Sequence, residues 1–394
     1  MVKILVLIDS TTEFSRNFLT GIIRYAHETG LWTFYRLPLY YKTLYGETGI
    51  VDKIKEWEIN AVIVQWEYSE INFLQKLDIP VFLQNYEDND ASWFSKISGD
   101  YIEIGKMAAG YFHQKKFRDF AFYGNKNFLW SKGRAEGFRS EVEKIGGNFH
   151  YFESEYLANS QWSISHMELD EWLLSLPKPV ALFACDDYFA LQVAEMCKIS
   201  NINIPNEISI LGVDNDKLIC NLSYPSISSI ATNDEEIGYI TGMKLHSAVI
   251  NKKNIPFQIA KKPIRIKERQ STKKYNITDE YIIKVIEHIE MNITSSLSID
   301  ELTQIVPLGR RSLEKRFREA MDKPIYQFIL EKKSEYLILK ITTSEKCFVD
   351  IAFEAGFNDV RSAYRIFKKY TGHSPTNFRK KKRLELKRDL LLKN

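Results

Sequence analysis

The 394-residue chain has little cysteine: Cys185, Cys197, Cys220 and Cys347 are all there is. They form no CxxC pair and no Cys/His metal spacing, which excludes a disulfide framework and a zinc finger. With 18 glycines and 11 prolines it is not a low-complexity or collagenous chain. No run reaches the ~18 apolar residues of a membrane helix. The opening MVKILVLIDS lacks the longer apolar core and small-residue cleavage site of a signal peptide. A cytoplasmic protein with no membrane partner is expected. The signatures of cofactor and hydrolase chemistry are missing as well: there is no GxSxG, Walker loop, GxGxxG or HExxH, and the seven histidines are scattered. No enzymatic activity, cofactor or metal is expected. The rival reading is a cytosolic sugar-modifying enzyme with a basic nucleic-acid-binding tail, its acid–base pair drawn from carboxylates such as Asp186 and Asp214.

What is present is a chain 44% hydrophobic and 13% aromatic, enough for several cores, with its charge unevenly spread. Residues 1–272 carry 29 Lys and Arg against 34 Asp and Glu, a net of −5, and residues 273–394 carry 25 against 17, a net of +8. An acidic two-thirds followed by a basic third suggests a module for a neutral small molecule joined to one for a polyanion.

In the first part, continuous apolar runs alternate with amphipathic stretches. VKILVLI (2–8), residues 32–39, AVIV (61–64) and VFL (81–83) read as strands, with helices over 15–28, 50–57 and 71–77. The pattern repeats: strands at 120–123, 149–152, 180–184 and 208–212, helices at 102–113, 134–145, 169–176 and 188–200. One sheet cannot hold so many strands, so two doubly wound α/β lobes are expected. Residues 228–231 and 258–267 read as later strands returning between the lobes. The polar, aperiodic ERQSTKK (268–274) reads as a linker. The expected domains are 1–268, a linker over 269–276, and an all-α domain over 277–394.

In the last third, LSIDELTQIV opens on Ser298 with Glu301 three residues on, a capping-box pattern. Pro307-Leu308-Gly309 ends that helix, and RRSLEKRFREAM (310–321) forms the next. Its Leu313 and Phe317 point inward, and Arg310, Arg311, Lys315, Arg316 and Arg318 point outward. A short helix, a tight turn and a basic second helix make a helix-turn-helix, here over 298–321. The arrangement recurs over 348–370: VDIAFEA, a turn at Gly356, then DVRSAYRIFKKY with Asp359 as its cap. The stretch 325–340 bridges the units, which would set two reading helices about one DNA turn (~34 Å) apart. Candidate base contacts are Arg310, Arg311 and Lys315 in the first unit and Arg361, Ser362 and Arg365 in the second, since arginine pairs bidentately with guanine. Arg316, Lys368, Lys369 and the 379–383 cluster suit phosphate.

GFNDVRSAYRIFKKYTGHSPTNFRK (356–380) closely resembles the signature that ends AraC-type transcriptional regulators, and LGRRSLEKRFREAM resembles their first recognition helix. Ala363 stands where that family usually has an aromatic core residue, and Asp322 where a glycine often ends the helix. The resemblance implies binding to double-stranded promoter DNA, and contact with RNA polymerase where the protein activates.

In doubly wound lobes, ligands bind at the carboxyl ends of the strands. The residues standing there are Ser10 and Phe14 after the first strand, Trp66 after AVIV, Asn85 after VFLQ, and Trp130 and Arg134 after FAFYG. Asp186 follows VALFA, and Asp214 and Asn215 follow ISILGV. Carboxylates accept paired hydroxyl hydrogen bonds, Arg donates a planar fork, and aromatic rings cover a sugar's apolar face. The set suits a small neutral polyol. Arg134 in GRAEGFR, CDDYFAL (185–191) and ILGVDND (210–216) resemble the effector-binding core of LacI-type repressors, a periplasmic-binding-like fold. This implies pocket roles for Arg134, Asp186 and Asp214. A LacI-like core joined to an AraC-like tail, with PIRIKERQST at 263–272, resembles the group of xylose-operon regulators. That resemblance implies a homodimeric transcription activator responding to a pentose such as xylose.

Overall fold

The computed structural model describes residues 1–394 apart from Leu31, Leu39, 67–70, 85–92, 155–161, Lys274 and 381–394. The chain divides into two compact units, Met1–Lys274 and Tyr275–Asn394.

The first unit holds two six-stranded sheets. One is built from β1 (Val2–Leu7), β2 (Trp32–Arg36), β3 (Ala61–Val64), β4 (Val81–Leu83), β5 (Ser95–Gly99) and β11 (Gln258–Lys261), in the order β11-β5-β4-β3-β1-β2, all parallel. The other is built from β6 (Asp119–Asn125), β7 (Asn148–Ser154), β8 (Val180–Ala184), β9 (Ile208–Val213), β10 (Ser228–Thr232) and β12 (Pro263–Lys267). Its order is β12-β10-β9-β8-β6-β7, parallel except for β12 against β10. Two doubly wound lobes are therefore present. In each, the strand order turns back at the first strand, between β1 and β3 and between β6 and β8, the place where such sheets bind ligands.

The sheets are buried on both faces, as the unbroken apolar runs require: every residue of β3, β8 and β9 is buried. The core of the second lobe is rich in phenylalanine, with Phe120, Phe122, Phe138 and Phe183 fully buried. In each lobe two helices cross through reciprocal glycines. Helix Glu13–Thr29 meets helix Asp234–Ile250, where a Cβ on Gly21 would lie 1.9 Å from the Glu235 carbonyl oxygen and one on Gly238 would lie 1.8 Å from that of Phe18. Helix Tyr101–Gln114 meets helix Leu129–Lys144, where a Cβ on Gly105 would lie 2.2 Å from the Arg134 carbonyl oxygen. The second close approach fixes the backbone that carries Arg134.

The chain crosses between the lobes three times, at Asp100, Asn233 and Lys262. The crossings bond to one another: Asp100 N to Lys261 O at 2.8 Å, Asn233 N to Lys262 O at 3.2 Å and Lys262 N to Asn233 Oδ1 at 2.7 Å. Here the structure corrects the sequence reading. Residues 258–267 are two strands in two sheets, broken before Pro263, which has no N–H to continue a parallel ladder. The strand over 32–39 stops at Arg36, two residues before Pro38. The helix over 50–57 begins at Tyr41 and breaks at Gly46 (φ +64°). β5 and helix Asp234–Ile250 had no counterpart in the sequence reading. Residues 268–272, at the start of the expected linker, pack on the second lobe, where Ser271 and Thr272 are buried.

The second unit is helical among its described residues. Helix Ile299–Ile305 carries the expected Ser298–Glu301 capping box. Helix Arg310–Met321 follows and buries Leu313, Phe317 and Met321 one turn apart. Helix Phe348–Glu354, the turn at Gly356 (φ +66°) and helix Val360–Thr371, capped by Asp359, repeat the motif. Helix Ile325–Thr343 bridges them, giving Ile325, Phe328 and Ile329 to the first core and Leu337 and Ile341 to the second. Asp322 ends the first recognition helix in the left-handed conformation (φ +55°), one that aspartate tolerates better than most residues. Ala363 is fully buried, so a small side chain fills that core position.

Candidate functional site

At the carboxyl ends of the strands, a group of charges joins the two lobes. Asp214 follows β9 with φ +92°, which turns its side chain toward helix Leu129–Lys144. Its carboxylate lies 3.5 Å from Arg134 Nη2 and 2.9 Å from Lys261 Nζ. Lys261 ends β11 in the other sheet and is 1% exposed. It also lies 3.4 Å from Asp234 Oδ1. Its ammonium sits 4.0 Å from the ring centre of Phe14, a cation–π contact. Arg134, likewise buried, donates to the Cys185 carbonyl, and its guanidinium lies 4.9 Å from the Trp130 ring and 5.9 Å from the Tyr101 ring.

Burial raises the Asp214 carboxyl, but the charges of Lys261 and Arg134 outweigh it and hold Asp214 below its ordinary range. Asp186 goes the other way: burial, reinforced by the charge of Asp214, pushes it up to about 6. Burial also raises Asp234 and Asp187. Asp214 is thus a firm carboxylate acceptor beside two donors, with Asp186 close to half-ionised at mildly acidic pH.

A second contact joins the lobes. Asp216 Oδ2 accepts from the Glu13 amide at 2.9 Å and from Arg16 Nη2 at 3.2 Å, while its Oδ1 caps helix Lys217–Leu222. The Asp216 amide in turn donates to Asp187 at 2.6 Å.

Of the residues expected in the pocket, the structure sets Phe14 and Asp214 against Lys261, Arg134 on the other side of Asp214, and Trp130 over the Arg134 guanidinium. Asp186 adjoins them and also caps its helix by accepting from the Phe189 amide at 2.8 Å. The Ser10 hydroxyl accepts from Arg36 at 2.9 Å. The described ring contacts of Trp66 are with Phe73 and Lys42, on the core of the first lobe. Asn215 turns away from the cluster: its side chain accepts from Arg269 at 2.8 Å. Asn85 lies outside the described residues. Lys261 and Asp234 escaped sequence reasoning. A lysine ending a strand and an aspartate starting a helix give no signal until the crossings place them.

In the second unit, Arg310, Arg311, Lys315, Arg361, Arg365, Lys368 and Lys369 are exposed on the two second helices. Arg310 shares its charge with Glu314 (3.2 Å) and Asp300 (3.4 Å), and Lys315 with Glu319 (3.8 Å). Ser362 is half-buried and gives its amide to Asp359. Arg316 departs from the expectation of a phosphate contact. It is half-buried, donates to Asp279 at 2.6 Å and lies over Tyr281, so its charge ties two helices together inside the domain. Arg379 donates to the carbonyls of Ile341 and Lys346, which fixes the end of the second unit. Residues 381–383 of the terminal basic cluster lie outside the described residues.

Comparison with known proteins agrees with this architecture. The family model for a periplasmic binding protein-like domain matches residues 109–272, and that for a helix-turn-helix domain matches 302–381. The xylose operon regulatory protein of Haemophilus influenzae is 26% identical over 96% of this chain and 98% of its own length. That of Escherichia coli K12 is 26% identical over 84% and 86%. Among solved structures, a xylose-binding transcription activator XylR superposes with a TM-score of 0.59 at 22% identity, over 96% of this chain and 97% of its own. A periplasmic binding protein/LacI transcriptional regulator from Alkaliphilus metalliredigens, complexed with D-xylulofuranose, reaches 0.52 at 20% identity over 69% and 98%. The chain is a DNA-binding transcription regulator with a periplasmic-binding-like domain followed by an AraC-type helix-turn-helix domain.

Proposed function

We propose that this regulator senses a small neutral sugar, a pentose such as xylose, in the cleft between its lobes. Phe14 and Trp130 cover the apolar faces of the sugar ring. Arg134 and Lys261 donate to its oxygens, and Asp214 and Asp186 accept from its hydroxyls. The observation that carries the reading is the Arg134–Asp214–Lys261 cluster, whose members come from both lobes and whose central carboxylate stays ionised. A sugar bound there contacts both lobes at once and favours the closed form by its differential affinity. The names of the two curated relatives support a xylose-type effector.

In a homodimer joined through these lobes, closure changes the spacing of the two DNA-reading domains and so decides whether both engage neighbouring half-sites. Arg310, Arg311, Lys315, Arg361, Ser362 and Arg365 read base edges, while Lys368 and Lys369 meet phosphate. Activation proceeds through contact with RNA polymerase. No reaction is assigned to the chain.

A thermal-shift series with D-xylose, D-ribose, L-arabinose and D-glucose tests the reading. A pentose at 100 times its Kd adds about 2.7 kcal/mol to native stability, a rise of several degrees. A chain whose melting temperature ignores all four sugars contradicts the proposal.

A further inference from the structure

The segment Glu268–Thr272, read from the sequence as the start of the linker, is bonded along its length to the second lobe. Glu268 pairs with buried Lys115 at 2.9 Å. Ser271 Oγ donates to the Ile210 carbonyl at 2.6 Å. Between them Arg269 makes four hydrogen bonds: its amide donates to Ser228 Oγ at 2.8 Å and its carbonyl accepts from the same hydroxyl at 3.2 Å, while Nη1 donates to the Ile227 carbonyl at 2.9 Å and Nη2 to Asn215 Oδ1 at 2.8 Å. The last one matters most. Asn215 and Asp214 are consecutive and both have positive φ, +52° and +92°. Asp214 faces Arg134 and Lys261, and its neighbour faces Arg269.

We infer that Arg269 is a positioning residue that carries the state of the cleft to the DNA-reading half of the chain. Two adjacent non-glycine residues at positive φ have few backbone alternatives. A ligand that shifts the Asp214 carboxylate therefore shifts Asn215 with it rather than being absorbed by the loop. Asn215 is hydrogen-bonded to the Arg269 fork, and Arg269 lies five residues before Lys274, where the first unit ends. The path from the proposed sugar site to the start of the second unit is thus one loop, one hydrogen bond and one short strap. The inference rests on the cleft being the effector site. What it adds is the residue through which occupancy is read out.

The test uses the full chain, a duplex selected by the wild-type protein from a random pool, and whichever of D-xylose, D-ribose and L-arabinose binds the wild type. R269M keeps the aliphatic stem and removes the fork; R269Q keeps a shorter polar head. Expected for both are sugar affinity and sugar-free duplex affinity within threefold of wild type, with the sugar-dependent change in duplex affinity reduced at least fivefold. R269K, which can still donate to Asn215, recovers part of the response. A full sugar response in R269M or R269Q overturns the assignment. So does a parallel fall in sugar affinity, which would make Arg269 only a prop of the cleft. If R269M fails to melt cooperatively, R269Q decides by the same criteria. A wild-type chain whose duplex affinity ignores every pentose removes the functional reading itself, a result distinct from a responding wild type beside a responding R269M.

Discussion

The two halves of the molecule display the side chains proposed to bind sugar and DNA in opposite ways. In the charge cluster between the lobes, the proposed sugar cleft, Arg134 and Lys261 are almost wholly buried and held by carboxylates, carbonyls and aromatic rings. On the reading helices, Arg311, Arg361 and Lys369 stand in solvent on faces whose opposite sides, Leu313–Phe317 and Ala363–Phe367, form the cores. Buried charges must be paired where they sit, so the cleft is an over-determined structure whose members support one another. Exposed cations cost little to display and stay free to meet phosphate or base edges. Changes in the cleft should therefore cost stability as well as ligand binding, and changes on the readers should cost DNA binding alone.

The largest effect expected is that of Asp214→Ala, which leaves Lys261 and Arg134 without their shared carboxylate. Denaturant unfolding should show a loss of about 3–5 kcal/mol, together with loss of any sugar-induced thermal shift. If stability stays within about 1 kcal/mol of wild type, the cluster does not brace the two lobes against each other. Arg134→Ala would be an equally poor probe of binding alone, because the guanidinium also donates to the Cys185 carbonyl. Next comes Gly238→Ala, whose new methyl would meet the Phe18 carbonyl oxygen at 1.8 Å. Prying those two helices apart should cost about 3 kcal/mol, read as a lower melting temperature; an unchanged one would show that the helices can separate freely.

On the reading side, Arg361→Ala should cost about 2 kcal/mol of affinity for the selected duplex and relax its sequence preference, with melting unaltered. Lys369→Ala should weaken all duplexes alike and reduce the salt slope by about one. Matching melting curves but identical losses on selected and random DNA for Arg361→Ala would move that residue from base to phosphate.

The smallest effect is one of pH. The Asp186 carboxyl is raised from 3.8 to about 6, so the native state holds its proton more tightly than the unfolded chain. Between those values this group adds stability as pH falls toward 4, and that stability is lost as pH rises through 6. Sugar binding that uses the carboxylate as acceptor runs the other way and should weaken roughly tenfold from pH 7 to pH 5. Asp186→Asn should flatten both trends, and a pH-independent affinity in the wild type would remove Asp186 from the contact set.

The same contrast explains what the sequence made legible. The reading helices were visible because amphipathic periodicity, the Ser298–Glu301 box and the Asp359 cap are local signals; helix Arg310–Met321 matches its expected bounds to the residue. The buried charge cluster was visible only in part. Phe14, Trp130, Arg134, Asp186 and Asp214 follow strand ends and could be listed strand by strand. Lys261 and Asp234 earn their place from three crossings that bring distant segments together, and no spacing in the chain encodes that meeting. Arg316 shows the converse error: a basic residue on a basic face was expected to look outward, yet Asp279, 37 residues away, captures it. Asn215 was grouped with its neighbour Asp214, but the left-handed turn sends the two side chains to different partners.

The measurement that bears most directly on the account is a titration of the selected duplex with the full-length chain, with and without a saturating pentose that raises its melting temperature. A cleft coupled to the readers changes duplex affinity by fivefold or more, within the usual range of allosteric coupling. Equal affinities in the two titrations, with the sugar demonstrably bound, would contradict it.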